Sequence, residues 1–317
     1  MACLDDRPRT SGVPAKLFRQ SRSSGVVKLS SLGISIFPPE LCDPDKYVEE
    51  GEKAWQIVLP KHIHLADNDI AVLPDAMSDS NPAFSSLKAL DMRNNNLTAL
   101  PAGIFSLSSI VSLNFSGNER LAHVVDNGAG LGGLKQLKEL DLSHTALATI
   151  PPSIGGCTAL VKLQMTHCPN LKGLPESLCT LHRTLTSLDV SHCGLIALPV
   201  GIGKLSSLTS LVAHHCRIGP SLPTSIADLT SLEVLNAGSN RLTDWPRLPH
   251  STRLQRLFLG HNRLVCVIGD ELLHVPNLIE LLLNNNLIEE IPQEVGALAK
   301  LRVLDVRLRI VSFPSYF

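Results

Sequence analysis

The sequence is poor in aromatic residues, in net charge and in long apolar runs. Phe, Trp and Tyr make up 4% of the 317 residues although 44% are hydrophobic, which indicates a core of aliphatic side chains. Lys and Arg number 28 against 29 Asp and Glu, and the formal net charge of -1 predicts no general attraction to nucleic acid or to an anionic membrane. No stretch approaches the length of a membrane span, and residues 1–20 lack the apolar segment of a secretory signal peptide. We therefore expect a cytoplasmic protein, with the nucleus or a cilium as further locations.

Motifs for catalysis and for cofactor binding are also missing. The GIGK sequence at residues 201–204 lacks the spacing and the Ser or Thr of a phosphate-binding loop, and no Gly-x-Ser-x-Gly elbow occurs. Asp189, Ser191 and His192 lie close together in the sequence, but nothing near them predicts an oxyanion hole or a substrate pocket. We predict no catalytic residues, no cofactor and no dedicated metal site.

The sequence does contain a unit that recurs through nearly its whole length. In residues 87–101, LKALDMRNNNLTALP, Leu90 and Met92 alternate with polar residues ahead of Asn95. A short strand with this alternation turns one side to the core and the other to water. The pattern Leu-x-x-Leu-x-Leu-x-x-Asn-x-Leu resembles that of leucine-rich repeats.

One position of the unit, which we call the ladder position, is usually an asparagine and recurs every 22 to 27 residues. An asparagine side chain there can bond both donors and acceptors of neighbouring turns. Three successive repeats carry cysteine instead, at spacings of 25 and 23 residues that follow the repeat and not a zinc motif. The ladder residues are Asn68, Asn95, Asn118, Thr145, Cys168, Cys193, Cys216, Asn240, Asn262 and Asn286.

The segments between ladder positions predict the architecture. Stretches such as PAGIFSLSSI and PVGIGKLSSL space their apolar residues by three or four, which predicts short helices. Strands stack at about 4.8 Å whereas helices need about 10 Å, so the stack should curve into a horseshoe with its parallel sheet on the concave face. We expect an α/β leucine-rich-repeat solenoid of about twelve repeats.

The predicted parts of the chain are a leader, a cap and the repeats. A disordered leader is expected at residues 1–15, a capping helix and capping repeat at 16–59, and the repeat domain at 60–317. The last repeat departs from the pattern after Val306. We expect an incomplete C-terminal cap there, and self-association through its apolar end.

Residues exposed on the concave face can be located by their distance from the ladder position. Directly before it stand His144, His167, His192 and His215, which we call the histidine column and whose neighbours should lie about 5 Å apart. The column is interpreted as a solvated polar row, as a pH-sensitive contact surface or as an adventitious zinc site.

Four places before the ladder position, the residues are acidic or amide-bearing early in the chain and become apolar late. Two places before it lies a strip of small hydroxyl residues, which should leave room for a bulky partner element.

The C-terminal half of this face has the composition of a protein interface. Apolar residues surrounded by arginine are typical of interface hot spots. We predict a site here for a protein segment that bears acidic residues. Its residues are Val212, His214, Arg217, Arg241, Arg256, Phe258, Arg263 and Leu282.

The finer features of the repeat resemble known leucine-rich-repeat groups. The Leu-Pro closure and the following isoleucine, as in LPAGI at residues 100–104, resemble the intracellular, Ras-group type. Residues 17–38, 54–74 and 245–264 are similar to the family of leucine-rich-repeat-containing protein forty, and the similarity covers most of residues 17–306. The ladder cysteines and Thr145 depart from that family's pattern. The resemblance implies a cytoplasmic or nuclear interaction protein without catalysis, and it transfers no defined site.

These observations favour a non-catalytic scaffold that binds a protein partner on its concave face. The Ras-group resemblance suggests a small GTPase or a phosphatase as the partner, and a signalling role. One alternative is a structural subunit of a cytoskeletal or ciliary assembly. A second is the recognition part of an enzyme whose catalytic domain lies outside this sequence.

Overall fold

The structure, a computed structural model, describes residues 13, 17–18, 24–43, 58–124 and 130–307. Within these residues the chain repeats a unit of strand, turn and short helix. The strands are β1 (Val26–Lys28), β2 (His62–His64), β3 (Ala89–Asp91), β4 (Ala99–Leu100), β5 (Ser112–Asn114), β6 (His123–Val124), β7 (Glu139–Asp141), β8 (Lys162–Gln164), β9 (Ser187–Asp189), β10 (Ser210–Val212), β11 (Val234–Asn236), β12 (Arg256–Phe258), β13 (Glu280–Leu282) and β14 (Val303–Asp305).

Twelve of these strands form a single parallel sheet. Their order is β1-β2-β3-β5-β7-β8-β9-β10-β11-β12-β13-β14, so every strand pairs with those of the adjacent repeats. The two remaining strands, β4 and β6, pair with each other in a small second sheet. The predicted α/β leucine-rich-repeat solenoid is confirmed.

Each strand of the large sheet is three residues long, and the repeat alternates apolar and polar residues along it. In β3, Leu90 is buried between two half-buried neighbours, and it pairs in register with Leu113 of β5. Leu140 of β7 continues the same row. The central residues of successive strands therefore form a continuous column of aliphatic side chains along the solenoid, which explains why so few aromatic residues are needed.

The side of the repeat opposite the sheet consists of very short helices. Within the described residues these are 3-10 helices at Pro39–Leu41, Pro82–Phe84, Ala102–Ser106, Gly130–Gly133, Pro152–Gly156, Glu176–Thr180, Ile202–Lys204, Thr224–Asp228 and Gln293–Ala297, and an α-helix, α1, at Gly269–Leu273. The prediction of short helices is confirmed, and most of them are single turns. Gly132 and Gly156 let two of them pack closely, since a Cβ on Gly156 would lie 2.7 Å from the Cα of Gly132.

One repeat replaces its helix with an extended segment. Between β11 and β12 the chain has no helix, and Trp245 packs into the core there. The carboxylate of Glu271, on α1 of the next repeat, accepts hydrogen bonds from the backbone N–H of Leu248 at 2.7 Å and from Nη1 of Arg247 at 2.9 Å. These bonds to α1 hold the extended segment in place.

Several predictions concern residues outside the described part of the chain. They are the leader at 1–15, most of the capping helix, residues 44–57 of the capping repeat, and the last repeat from residue 308 onward. The domain boundaries and the self-association of the C-terminal end therefore stay predictions. No helix in the described residues has the length and apolar character needed to cross a membrane.

Candidate functional site: the concave face and its histidines

The ladder residues fix the turn that follows each strand. Nδ2 of Asn95 donates to the carbonyls of Leu65 at 2.9 Å and Met92 at 3.0 Å, and its Oδ1 accepts from the N–H of Ile70 at 3.0 Å. One buried side chain therefore satisfies backbone groups of two neighbouring repeats, which is the role predicted for this position.

The ladder cysteines perform part of this role with a thiol. Sγ of Cys193 donates to the carbonyl of Met165 at 2.9 Å, and Sγ of Cys216 to that of Val190 at 3.3 Å. The hydrogen bond with Cys168, together with burial, raises the pKa of the Cys193 thiol, and burial raises the pKa of Cys216. These two residues therefore remain protonated donors at neutral pH and serve the fold.

The position directly before the ladder has a left-handed backbone in ten of the repeats. Glycine occupies it once, as Gly117 with φ of 72°. The other nine are non-glycine residues with φ between 52° and 57°, a region in which Asn, Asp and His are the most frequent side chains. They are Asp67, Asn94, His144, His167, His192, His215, Ser239, His261 and Asn285. This backbone requirement was not predicted, although the recurrence of Asn, Asp, His and Gly at one position of the repeat was a signal for it.

The acidic and amide residues four places before the ladder cap the turn. Oδ1 of Asp189 accepts from the N–H of Ser191 at 3.0 Å and from its Oγ at 2.7 Å, while Oδ1 of Asp141 accepts from the N–H of Ser143 at 2.9 Å. Ser143 and Ser191 are buried. The expected hydroxyl strip is therefore wrong at these two positions, because the turn folds the serines inward. The Oγ of Ser191 is bonded to Asp189, so the adjacent His192 has no nucleophile to activate there.

The histidine column forms a stack of parallel rings. Ring centroids lie 4.2 Å apart between His144 and His167, 4.2 Å between His167 and His192, and 4.4 Å between His192 and His215, with interplanar angles of 8° to 16°. Because all four share the left-handed backbone, their side chains leave the turn in the same direction. The predicted column therefore exists as a contiguous surface.

A fifth histidine, His214, joins the end of this stack. Its ring meets His192 edge-on at 4.9 Å and His215 edge-on at 5.0 Å, and its Nδ1 lies 2.8 Å from Nδ1 of His215. One nitrogen from each of His192, His214 and His215 lies within 4.8 Å of the others. Desolvation, followed by the charges of the neighbouring histidines, lowers the pKa of His192 and His214 below the usual value of 6.5. The neutral form of the imidazole is therefore favoured at His192 and His214.

Beside these histidines lies an open concavity of about 260 Å³, which we call the apolar groove. Its lining includes His214, His215, Phe258, His261, Leu282 and Asn284. Strand register produces it, because Val212, Asn236, Phe258 and Leu282 occupy equivalent positions on consecutive strands.

The structure brings together only part of the predicted partner site. His214, Phe258 and Leu282 line the apolar groove, and Val212 lies in the same row of residues. Arg217, Arg241 and Arg263 follow the ladder residues and are exposed, but they are not part of the groove lining. Nε of Arg256 lies 3.5 Å from the carboxylate of Glu280 on the neighbouring strand. The expected ring of arginines is thus displaced to one side of the apolar residues.

Comparisons with known proteins agree with the fold. The sequence profile of the family Leucine Rich Repeat matches residues 86–107 and 136–157. The match and the architecture agree on a leucine-rich-repeat fold. It is 29% identical to human podocan-like protein 1 over 95% of the chain and 60% of that protein. It is also 31% identical to plant intracellular Ras-group-related LRR protein 8 of Oryza sativa subsp. japonica, over 32% of the chain and 26% of that protein. The chain spans less than two thirds of the length of these curated relatives.

A solved structure also has a similar fold. The Arabidopsis receptor kinase HAESA, in complex with the peptide hormone IDA and the co-receptor SERK1, aligns with a TM-score of 0.60 and 25% identity. The alignment covers 89% of this chain and 54% of that one. Proteins with this fold generally act as scaffolds for binding other proteins.

Proposed function

We propose that the chain is a non-catalytic interaction scaffold that binds a protein segment in the apolar groove. One observation carries the proposal. In five repeats the position four places before the ladder is an Asp or Asn whose side chain closes the turn with a hydrogen bond, as at Asp141 and Asp189. At Val212, Phe258 and Leu282 an apolar side chain stands there instead. These repeats forgo that bond and present apolar surface at the concave face.

The groove and its surroundings define the chemistry of the partner. Phe258 and Leu282 are half-buried, so their exposed edges offer contact area to an apolar side chain. The groove also presents the polar groups of His261 and Asn284, which can bind a backbone or an amide. Arg217, Arg241 and Arg263 lie to one side as exposed cations. A segment with one or two large apolar residues and acidic residues on one flank fits this arrangement.

Similar proteins support this proposal and its finer parts. HAESA is a distant structural neighbour whose solved complex contains a peptide hormone and a co-receptor. We extend the proposal, by analogy, to a small GTPase or a phosphatase as the partner, a signalling role and a cytoplasmic location; the rice relative is named as an intracellular Ras-group-related protein. We also propose, from the resemblance of its sequence, that the chain is related to the family of leucine-rich-repeat-containing protein forty.

The proposal is tested by substitutions in the apolar groove. Partners cross-linked to the chain in cells are quantified by mass spectrometry for the unaltered protein, for Phe258→Asp and for Val200→Asp. Val200 is 77% exposed beside an outer helix and serves as a matched control. Phe258→Asp removes the apolar ring and places a charge in the groove, which should reduce recovery of a direct partner at least about tenfold, because the lost contact and the added charge together cost more than about 1.4 kcal/mol.

The outcomes separate binding from misfolding. Phe258→Asp should keep the circular dichroism spectrum and melting behaviour of the unaltered chain, since its side chain is only half-buried. The proposal is overturned if every partner is retained by Phe258→Asp, or if Val200→Asp loses the same partners. If the partner lost is neither a GTPase nor a phosphatase, the groove proposal stands and the analogy to the Ras group fails.

A further inference from the structure

We propose that His192, His214 and His215 form a binding site for a zinc-class divalent ion on the concave face. The inference is independent of the apolar groove's partner, since it concerns only these side chains and the ion.

The distances between the three rings are close to those of a metal site. One nitrogen of each lies within 4.8 Å of the others, and the Nδ1 atoms of His214 and His215 are 2.8 Å apart. Zinc–nitrogen bonds of about 2.0–2.1 Å in a tetrahedral site place the ligand nitrogens about 3.3 Å from each other. The rings need only small side-chain rotations to reach that arrangement, because His214 and His215 must separate slightly and His192 must approach.

The backbone holds the three side chains in place. The N–H of His192 donates to the carbonyl of His214 at 2.9 Å, so the turns of two repeats are tied together. His192 and His215 have φ of 56° and 53°, which directs both rings to the same side of the turn. A site built on this stacked scaffold requires little ordering when an ion binds.

The chemistry of the donor set selects the metal class. Three imidazole ligands suit zinc, copper and nickel and are poor ligands for magnesium and calcium. The carboxylate of Asp189 acts electrostatically on His192 and His214, and its negative charge favours a cation at the cluster. Three protein ligands leave a fourth coordination position for water or another group.

The experiment is a zinc titration of the full chain, purified without a histidine tag and stripped of metal with a chelator. Isothermal titration with zinc chloride should show one ion per chain, with a dissociation constant on the order of 1 µM or below. Cobalt(II) should give the intense visible absorption of a tetrahedral site. The variants are His192→Asn, His214→Asn and His215→Asn; asparagine tolerates the left-handed backbone at positions 192 and 215. Each should weaken zinc binding at least about tenfold.

Two control variants remove histidines near the cluster but outside it. His144→Asn lies two repeats before His192 in the column, and His261→Asn lies across the apolar groove; both should bind zinc as the unaltered chain does. Nitrogen NMR should show shifts in the rings of His192, His214 and His215 on addition of zinc. The proposal fails if no binding is detected at about 100 µM zinc. It also fails if a variant with His192, His214 and His215 all replaced by asparagine still binds zinc, or if His144→Asn weakens binding as much as His214→Asn. Loss of partner binding in the Phe258→Asp variant has no bearing on this result.

Discussion

At the scale of single residues, each ladder asparagine joins two repeats through buried hydrogen bonds. Asn262 donates to the carbonyls of Ala237 at 2.9 Å and Leu259 at 3.0 Å, and accepts from the N–H of Leu242 at 3.0 Å. Asn262→Ala would leave the buried N–H of Leu242 without a partner and remove one of the two amide donors at each carbonyl; the carbonyls keep those of Asn240 and Asn286. It should lower the free energy of unfolding by about 2–3 kcal/mol. Urea denaturation measures this loss. The exposed Asn96→Ala should change stability by less than about 0.5 kcal/mol, and equal effects of the two variants would contradict the role of the ladder.

A ladder cysteine should be less costly to replace than an asparagine. Cys193 donates to the carbonyl of Met165 and has no amide with which to bridge as many groups. Cys193→Ala should therefore lower the free energy of unfolding by about 1–2 kcal/mol in the same assay. A loss as large as that for Asn262→Ala would show that the thiol contributes more than its hydrogen bonds indicate.

The histidine column predicts a definite dependence of stability on pH. Desolvation and the neighbouring imidazoles of His144, His167, His214 and His215 lower the pKa of His167, His192 and His214, and Asp189 opposes them. A folded pKa below the unfolded value of 6.5 means that the unfolded chain binds more protons, so stability falls as the pH drops through 6.5 toward the folded pKa. Histidine NMR should show His167, His192 and His214 titrating below pH 6.5.

A variant tests whether the neighbouring rings contribute to this effect. His167→Asn keeps the left-handed backbone and removes one ring from beside His192. The pKa of His192 should then rise toward 6.5, because one source of repulsion is gone. An unchanged titration of His192 would mean that burial alone lowers its pKa.

At the scale of elements, α1 stabilises the extended segment before β12 through one carboxylate. Burial alone would raise the pKa of Glu271, but hydrogen bonds from the Leu248 N–H and Arg247 outweigh it, and the net pKa is lowered. A lowered pKa stabilises the folded state above the unfolded value of 4.5, and this stabilisation is lost as the pH falls below it.

Glu271→Gln should therefore lower the free energy of unfolding at pH 7 by about 1–3 kcal/mol, since it removes a charge-assisted acceptor. The difference from the unaltered chain should shrink near pH 3. Glu290→Gln is the control, because Glu290 is exposed. Equal unfolding curves for Glu271→Gln and the unaltered chain at pH 7 would contradict the proposed role of α1.

The sequence predicted the elements well where burial is periodic. Leu90, Leu113 and Leu140 repeat at one position of the unit, and the strands follow from their alternation with polar residues. It did not predict the extended segment between β11 and β12, because the contact that holds it comes from Glu271 in another repeat. The left-handed turns were also missed, since they depend on backbone geometry that a side-chain pattern shows only indirectly.

At the scale of the whole molecule, each repeat contacts mainly its neighbours. Strands β2 and β13 are nine steps apart in the sheet, a distance of roughly 43 Å along a straight stack. Ile63→Ala in β2 and Leu281→Ala in β13 each remove a fully buried side chain. Hydrogen exchange should show faster opening near each substitution and unchanged protection near the other, because stability is local in a repeat array. Equal deprotection along the entire sheet would contradict this.

The candidate site was only partly predictable because it depends on which repeats lie side by side. The apolar residues at 212, 258 and 282 were visible as exceptions in one column, and strand register places them in one row. Arg217 and Arg241 were assigned to the same site from their column alone, yet the turn carries them to its side. His214 lies two places before its ladder residue, whereas His192 lies directly before its own, so the two belong to different columns of the repeat. Only the fold shows that their rings meet.

The left-handed turns before the ladder have a consequence for how this surface can change over generations. The codons of Asn, Asp and His differ from one another only in the first base, and all three side chains tolerate the backbone of Asn94, Asp67 and His144. A single-base mutation can therefore exchange an amide, a carboxylate and an imidazole at this position with little effect on folding. The solenoid can acquire or lose a ligand for an ion on its inner surface in one mutational step.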